Sequence, residues 1–221
     1  MIDIHTHIIP FVDDGSKSIT DSLAMIKQEI DMGIDTIVCT PHYINRRYMK
    51  SVDEIKTNYN NLLKAVEEKG LNVNLLLGQE ICYTHRVDII KMLKNNELLT
   101  LNNTNYILLE FSYSSEPEDI YEVVYNFFAN GYKVIIAHVE RYDWITLSKV
   151  IGLKKEGAII QINSGSIVGK NSFKEKRFVK KLLKLNLVDI VASDIHSFRP
   201  STMQVALKKV ENDKLFNFEL V

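Results

Sequence analysis

The chain has only six histidines, and five of them stand at or just beyond the ends of short apolar runs. His5 and His7 flank the end of the first run with a single residue between them. In an extended chain alternate side chains point the same way, so both imidazoles can approach one ion. Asp194 and His196 repeat this spacing near the other end of the sequence. His42 and His138 each follow a further run, and Glu80 and Glu110 bring carboxylates to two more. His85 falls outside the pattern and reads as a structural or surface residue. Imidazoles and carboxylates without cysteine suit borderline first-row ions, namely manganese, iron or zinc. So many candidate ligands exceed one tetrahedral site, so two or three divalent ions are expected, with Glu80 able to bridge a pair.

The elements that must position these groups alternate along the chain. Seven β-rich apolar runs are predicted as strands, at 2–5, 36–39, 73–78, 106–111, 133–137, 158–162 and 188–192. Several are apolar almost throughout, as parallel strands buried on both faces are. Amphipathic helices fall between them. Ile19, Leu23, Ile26 and Ile30 repeat at helical spacing before Gly33. Capping-box patterns at Ser51 and Glu54, Ser115 and Glu118, and Ser172 and Glu175 predict three further helix starts. This alternation implies right-handed βαβ units and a parallel sheet, either a barrel or a doubly wound open sheet. In both, ligands collect at the carboxyl ends of the strands. Six of the seven runs are followed there by a candidate ligand.

Other chemistries fit poorly. A cysteine phosphatase loop needs arginine six positions after its cysteine, but Asn45 holds that place after Cys39 and Arg46 comes one too late. Neither a G-x-S-x-G elbow nor a glycine-rich phosphate loop occurs. Metal-activated water is the nucleophile that remains. A formal net charge of -1 gives little attraction for nucleic acid. No run approaches the roughly 20 apolar residues of a membrane helix. Without repeats or low-complexity linkers, one domain over 1–221 is expected. Two cysteines without paired spacing, and a first strand that starts at once, predict a cytoplasmic protein that does not insert in membranes. Its oligomeric state is left open.

Seven segments carry a family resemblance: Met1-Ile2-Asp3-Ile4-His5-Thr6-His7-Ile8, Val12-Asp13-Asp14-Gly15, Thr40-Pro41-His42, Gly78-Gln79-Glu80-Ile81, Leu109-Glu110-Phe111, Ala137-His138-Val139-Glu140-Arg141-Tyr142-Asp143 and Ala192-Ser193-Asp194-Ile195-His196. With them the sequence resembles the polymerase-and-histidinol-phosphatase (PHP) family. Within it, the chain is most similar to the bacterial tyrosine phosphatases that control capsule and exopolysaccharide synthesis. The resemblance implies a distorted seven-stranded (β/α) barrel of PHP type with parallel strands and a three-metal site, most simply of manganese. It assigns His5, His7, Glu80 and Asp194 to a first ion, Glu80, Glu110 and His138 to a second, and Asp14, His42 and His196 to a third. Asp13 is the alternative to Asp14.

Arg141 and Arg199 are the candidates for phosphoryl contact, since a planar guanidinium suits bidentate recognition. His42, where it is not a ligand, is a candidate proton donor. Tyr43, Tyr48, Phe111, Tyr113 and Tyr142 follow strand ends, where an aromatic either packs in the rim or meets a substrate ring. The expected activity is metal-dependent hydrolysis of phosphotyrosine, and the expected partner is the tail of a bacterial autophosphorylating tyrosine kinase. A small-molecule phosphatase of the histidinol-phosphate type is the alternative on the same site.

Overall fold

Strands and helices alternate from end to end in a computed structural model that describes residues 1–220, so the last residue of the expected 1–221 unit lies outside the described residues. In order they are β1 (Ile2–Thr6), α1 (Ile19–Asp31), β2 (Thr36–Cys39), β3 (His42–Tyr43), α2 (Val52–Glu68), β4 (Asn74–Leu77), β5 (Glu80–Cys82) and α3 (Ile89–Lys94). Then follow β6 (Tyr106–Glu110), α4 (Ile120–Ala129), β7 (Lys133–Ile136), α5 (Leu147–Lys155), β8 (Ile159–Asn163), α6 (Ser164–Val168), α7 (Phe173–Lys184), β9 (Ile190–Ala192) and α8 (Met203–Val210).

The strands pair in parallel, in one sheet of order β1-β2-β4 and another of order β3-β5-β6-β7-β8-β9. This is the α/β class with parallel strands anticipated above. The expected count of seven differs from the nine short strands observed among the described residues, and the difference has a local cause. The chain breaks at Thr40-Pro41, where proline has no N–H to donate, and again at Gly78-Gln79. The two breaks face each other: Gly78 N donates to Cys39 O at 2.9 Å and Glu80 N to Pro41 O at 3.1 Å. At the other edge the chain beyond β9 meets the end of β1, Asp194 N donating to His5 O at 3.0 Å and His7 N to Ile195 O at 3.1 Å.

Side chains alternate across the strands as the pleat requires. Ile107, Leu109 and Ile136 face the helices and pack with Ile26, Ile55, Leu62, Phe127, Leu153 and Leu182. Leu108, Ile135 and Ala137 face the other way and join Ile4, Val38, Ile190 and Ala192 in a second cluster. Both faces of the sheet are therefore apolar, which explains the uninterrupted runs in the sequence.

The helix starts follow the capping chemistry with one exception. Ser51 and Glu54 make the complete box at α2, and Ser172 caps α7. The start expected at Ser115 is not used; Asp119 caps α4 instead, its Oδ1 accepting from Tyr121 N at 2.9 Å and Glu122 N at 3.1 Å. Pro117 disfavours helix at Glu116, and an aspartate directly before the first apolar position then captures the free amides.

Candidate metal centre

The carboxyl ends of the parallel strands converge on one spot. β1 carries His5 and leads to His7, β3 starts with His42, β5 with Glu80, and β6 ends on Glu110. His138 follows β7, and Asp194 and His196 follow β9. All of these are buried except His42, which is half-buried. The loop after His7 turns back beneath it: Ser16 N donates to His7 O at 3.0 Å, and a Cβ on Gly15 would lie 2.0 Å from that oxygen. Only glycine permits this approach, which brings Asp13 and Asp14 to the cluster.

The ligand atoms face one another. His5 Nε2 and His7 Nε2 lie 3.2 Å apart, and each is 3.2 Å from Glu80 Oε2. His42 Nδ1 is 2.8 Å from Glu80 Oε2, and His138 Nε2 is 2.9 Å from Glu80 Oε1. Asp14 Oδ1 stands 3.6 Å from His42 Nε2 and 3.7 Å from His196 Nε2. Among the described residues, four overlapping groups have ligand atoms within 4.8 Å of one another: His7, Asp14, His42 and His196; His5, Glu80 and His138; His5, His7 and Asp194; and His42, Glu80 and Glu110. All nine expected ligands occur in these groups, although the partition differs from the one the resemblance implies, with His7 also beside Asp14. His85 is exposed and belongs to none of them.

The hydrogen bonds behind the cluster show that it fits divalent ions. His7 Nδ1 is 2.7 Å from Asp13 Oδ2, His5 Nδ1 is 3.2 Å from Gln161 Oε1, and His196 Nδ1 is 3.0 Å from the Asp194 carbonyl. Each partner is an acceptor, so each Nδ1 carries the proton and each Nε2 turns a lone pair inward. Two imidazole lone pairs facing each other at 3.2 Å are unfavourable unless a cation lies between them. Glu80 Oε2 and Asp14 Oδ1 are likewise buried without a hydrogen-bond donor. Asp13 is the supporting carboxylate, since its oxygens also accept from His42 N and Gly15 N, both at 2.9 Å.

Two supporting residues escaped the sequence reading. Gln161 Oε1 also accepts from His138 N at 2.7 Å, and its amide donates to Asn163 Oδ1 at 2.9 Å. Asn163 Nδ2 in turn donates to Asp194 Oδ2 at 2.8 Å. Both lie on β8, the run without a candidate ligand. The signal was there: Gln161-Ile162-Asn163 has the same alternate spacing as His5-Thr6-His7.

The electrostatics concentrate negative charge at the centre. Burial pushes the Glu80 carboxyl up, but His5 and His42 beside it bring it well below the usual range. Glu110 goes the other way, to about 7, through burial and then the charge of Glu80. Burial holds His138 down at about 4, a neutral imidazole at ordinary pH. His138 and Asp194 have φ of 30° and 52°, left-handed conformations uncommon outside glycine. Such strain gathers at functional sites, where surrounding bonds fix it.

A cavity of about 180 Å³ opens over the cluster, lined among others by Asp14, His42, Glu110, His138, Asp194 and His196. Arg141 and Arg199 line it too, each with an Nη1 on Asp194 Oδ2. Of the five candidate aromatics, Tyr48 and Tyr113 reach the cavity, whereas Tyr43, Phe111 and Tyr142 are buried in the core. Phe198, which the sequence reading passed over, also reaches it. Cys39 and Cys82 are free thiols whose pKa burial pushes far up, so neither offers a thiolate nucleophile. Among the described residues no helix is long and apolar enough to cross a membrane.

Comparison with known proteins points the same way. Residues 1–215 match the family model described as "Capsular polysaccharide synthesis, CpsB/CapC". The tyrosine-protein phosphatase YwqE of Bacillus subtilis is 34% identical over 222 residues, covering 100% of this chain and 87% of the relative. The tyrosine-protein phosphatase CpsB of Streptococcus agalactiae is 35% identical, covering 96% of this chain and 90% of the relative. A crystal structure from work on YwqE of Bacillus subtilis and CpsB of Streptococcus pneumoniae, described as unique metal-dependent tyrosine phosphatases, superposes with a TM-score of 0.88. It is 35% identical, and the match covers 96% of this chain and 86% of that one.

Proposed function

This chain belongs to the CpsB/CapC family of capsular polysaccharide synthesis, and on that premise we propose that it is a metal-dependent protein-tyrosine phosphatase, a phosphoric monoester hydrolase. One observation carries the reading to these residues: His5 Nε2, His7 Nε2 and Glu80 Oε2 converge at 3.2 Å beneath a cavity flanked by two arginines.

His5, His7, Asp14, His42, Glu80, Glu110, His138, Asp194 and His196 are the residues that would hold two to three divalent ions, manganese first, with iron or zinc as alternatives. Bound there, the ions would supply Lewis acidity to the phosphoryl group and lower the pKa of water toward neutrality. The chain's own groups do the rest. Arg141 and Arg199 release Asp194 in part and turn guanidinium N–H groups to the equatorial phosphoryl oxygens, where charge is spread in the transition state. Asp13, Gln161 and Asn163 keep the imidazoles and Asp194 in register, so that no reorganisation is needed as charge develops. His42 is the imidazole of the cluster nearest solvent; burial lowers its pKa, but Glu80 at 2.8 Å carries it above the ordinary value. Where it is not a ligand, it can pass a proton to the leaving phenolate, whose own pKa is about 10.

We read the two sheets as one distorted barrel of seven runs, in which β2 with β3 and β4 with β5 are single runs interrupted at facing breaks. The chain is taken as one catalytic unit acting in the cytoplasm on a phosphotyrosine-bearing protein, the tail of a bacterial tyrosine kinase. The test compares rates of the metal-replete protein on a phosphotyrosine peptide and on histidinol phosphate. Preference for the peptide supports the assignment. Preference for histidinol phosphate would keep the metal centre and overturn the substrate.

A further inference from the structure

Two aromatics beside the candidate metal centre, Tyr48 half-buried and Phe198 exposed, are held in place with more care than packing requires. Tyr48 lies in a small hairpin that starts two residues after His42. Ile44 N donates to Tyr48 O and Tyr48 N to Ile44 O, both at 2.9 Å, and Arg47 N also donates to Ile44 O at 2.9 Å. Phe198 sits at the tip of a second hairpin that starts at His196 itself. There His196 N donates to Arg199 O at 3.1 Å, Arg199 N donates back to His196 O at 2.9 Å, and Ser197 Oγ ties the tip to Gly15 O at 3.0 Å.

Each ring then leans on its own histidine. Tyr48 is parallel to His42 with centroids 5.7 Å apart, and Phe198 is tilted against His196 at 4.9 Å. Arg47 lies over the Tyr48 ring at 4.9 Å and Arg199 over the Phe198 ring at 5.7 Å, cation–π contacts that further fix both. Yet Phe198 is 63% exposed, and neither ring belongs to the buried cores. An exposed phenylalanine fixed on a backbone-bonded turn contributes nothing to burial. What Tyr48 and Phe198 share is the cavity they both line, above the atoms that would hold a phosphoryl group.

We propose that Tyr48 and Phe198 form an aryl subsite that binds the ring of an aromatic phosphate monoester while its phosphoryl group lies on the metal centre. The proposal rests on the phosphatase reading and deepens it, because it names the residues that favour an aryl over an alkyl phosphate. The physics is that of aromatic pairs, which gain from offset or edge-to-face contact beyond the area they bury. Since both rings are already ordered, little conformational entropy is lost when a third ring joins them.

The test is a binding measurement and does not depend on turnover. Phenylphosphonate and methylphosphonate share a non-hydrolysable phosphoryl head and differ in the ring. Calorimetric titration of the manganese-replete protein should show phenylphosphonate binding about tenfold more tightly. Phe198→Ala and Tyr48→Ala should each cut that ratio about three- to fivefold, with methylphosphonate affinity unchanged; Phe198→Tyr and Tyr48→Phe should restore it. A wild-type protein without preference for the phenyl ligand overturns the subsite, whether or not it hydrolyses phosphotyrosine. So do alanine variants that weaken both ligands equally, since that would mean the rings merely prop His42 and His196. If neither phosphonate binds, the phosphatase reading fails and the subsite falls with it.

Discussion

The Nδ1–H of His7 donates to Asp13 Oδ2 at 2.7 Å, which turns the other nitrogen of that ring into the cluster of candidate ligands. The bond is wholly buried on the histidine side. The same carboxylate holds His42 through its backbone N–H, so a residue that faces away from the cluster orients two that face into it.

Replacing Asp13 with alanine should therefore weaken metal binding without removing a ligand. Loss of such an orienting carboxylate costs about 10- to 100-fold in metal affinity. The check is activity against added manganese: the variant's midpoint should move to higher concentration, with the maximum rate largely recovered. Asp14→Ala, by contrast, should lower the maximum itself.

Glu80 touches four histidines and offers both oxygens to the centre. Glu80→Gln keeps its shape and removes the charge. Since electrostatic stabilisation by such a centre amounts to several kcal/mol, the turnover number should fall by about a thousandfold or more. Elemental analysis of the variant should find fewer ions per chain than in the wild type. Full activity with a normal metal content would remove Glu80 from the centre.

Arg141 should not tolerate lysine. Its guanidinium already reaches Asp194 Oδ2 at 3.2 Å and lies over the Tyr113 ring at 4.4 Å, so a compact ammonium loses both the fork and the stacking. Arg141→Lys should lower kcat/KM on a phosphotyrosine peptide by roughly 10- to 100-fold, the loss of about 1.4–2.8 kcal/mol. Unfolding by urea should be unchanged, which separates lost phosphoryl contact from lost fold.

Stability against pH should carry the mark of Glu29. This carboxyl on α1 is buried, and burial, then the charge of Asp3, holds its pKa well above 4.5. An acid whose pKa is raised on folding favours the native state fully below its unfolded pKa, and that advantage is lost as pH rises through the native value. Glu29→Gln should therefore gain stability relative to the wild type as the pH is raised from about 4 to about 8. Urea midpoints of the two proteins at both pH values test it. A difference that stays constant across that span would contradict the buried charge.

The parts of the site that lay on strands were legible in the sequence, because alternate spacing is a local property. His5 and His7 could be paired by that rule alone, whereas Asp194 lies beyond β9 with a left-handed backbone and groups with His5 and His7, not with His196. The choice between Asp13 and Asp14 could not, since it depends on how closely the loop passes beneath His7 at Gly15, a tertiary contact. The family resemblance supplied Asp14, and the geometry turns its Oδ1 toward His42 and His196. Gln161 and Asn163 do not stand out because amides are not ligands, although their hydrogen bonds orient the candidate ligands His5 and Asp194. Phe198 gave no signal, as an aromatic in a polar loop reveals its role only when the turn that carries it is seen beside His196.

For the fold, periodicity located seven of the nine strands among the described residues and missed β3 and β5, which follow the breaks at Thr40-Pro41 and Gly78-Gln79. Each of the two is only two or three residues long and starts on a polar residue, so no apolar run marks it. The helix start before Ile120 went to Asp119 for a comparable reason: two capping signals stood close together, and Pro117 decided between them.

The most direct test of the metal-dependent phosphatase reading follows phosphate release from a phosphotyrosine peptide while manganese is titrated into chelator-stripped protein, with bound metal counted at each point. The rate should be negligible without metal and should rise only as at least two ions per chain are bound. Full activity in the stripped protein, or complete loading of the site without any release from the peptide, would contradict the account.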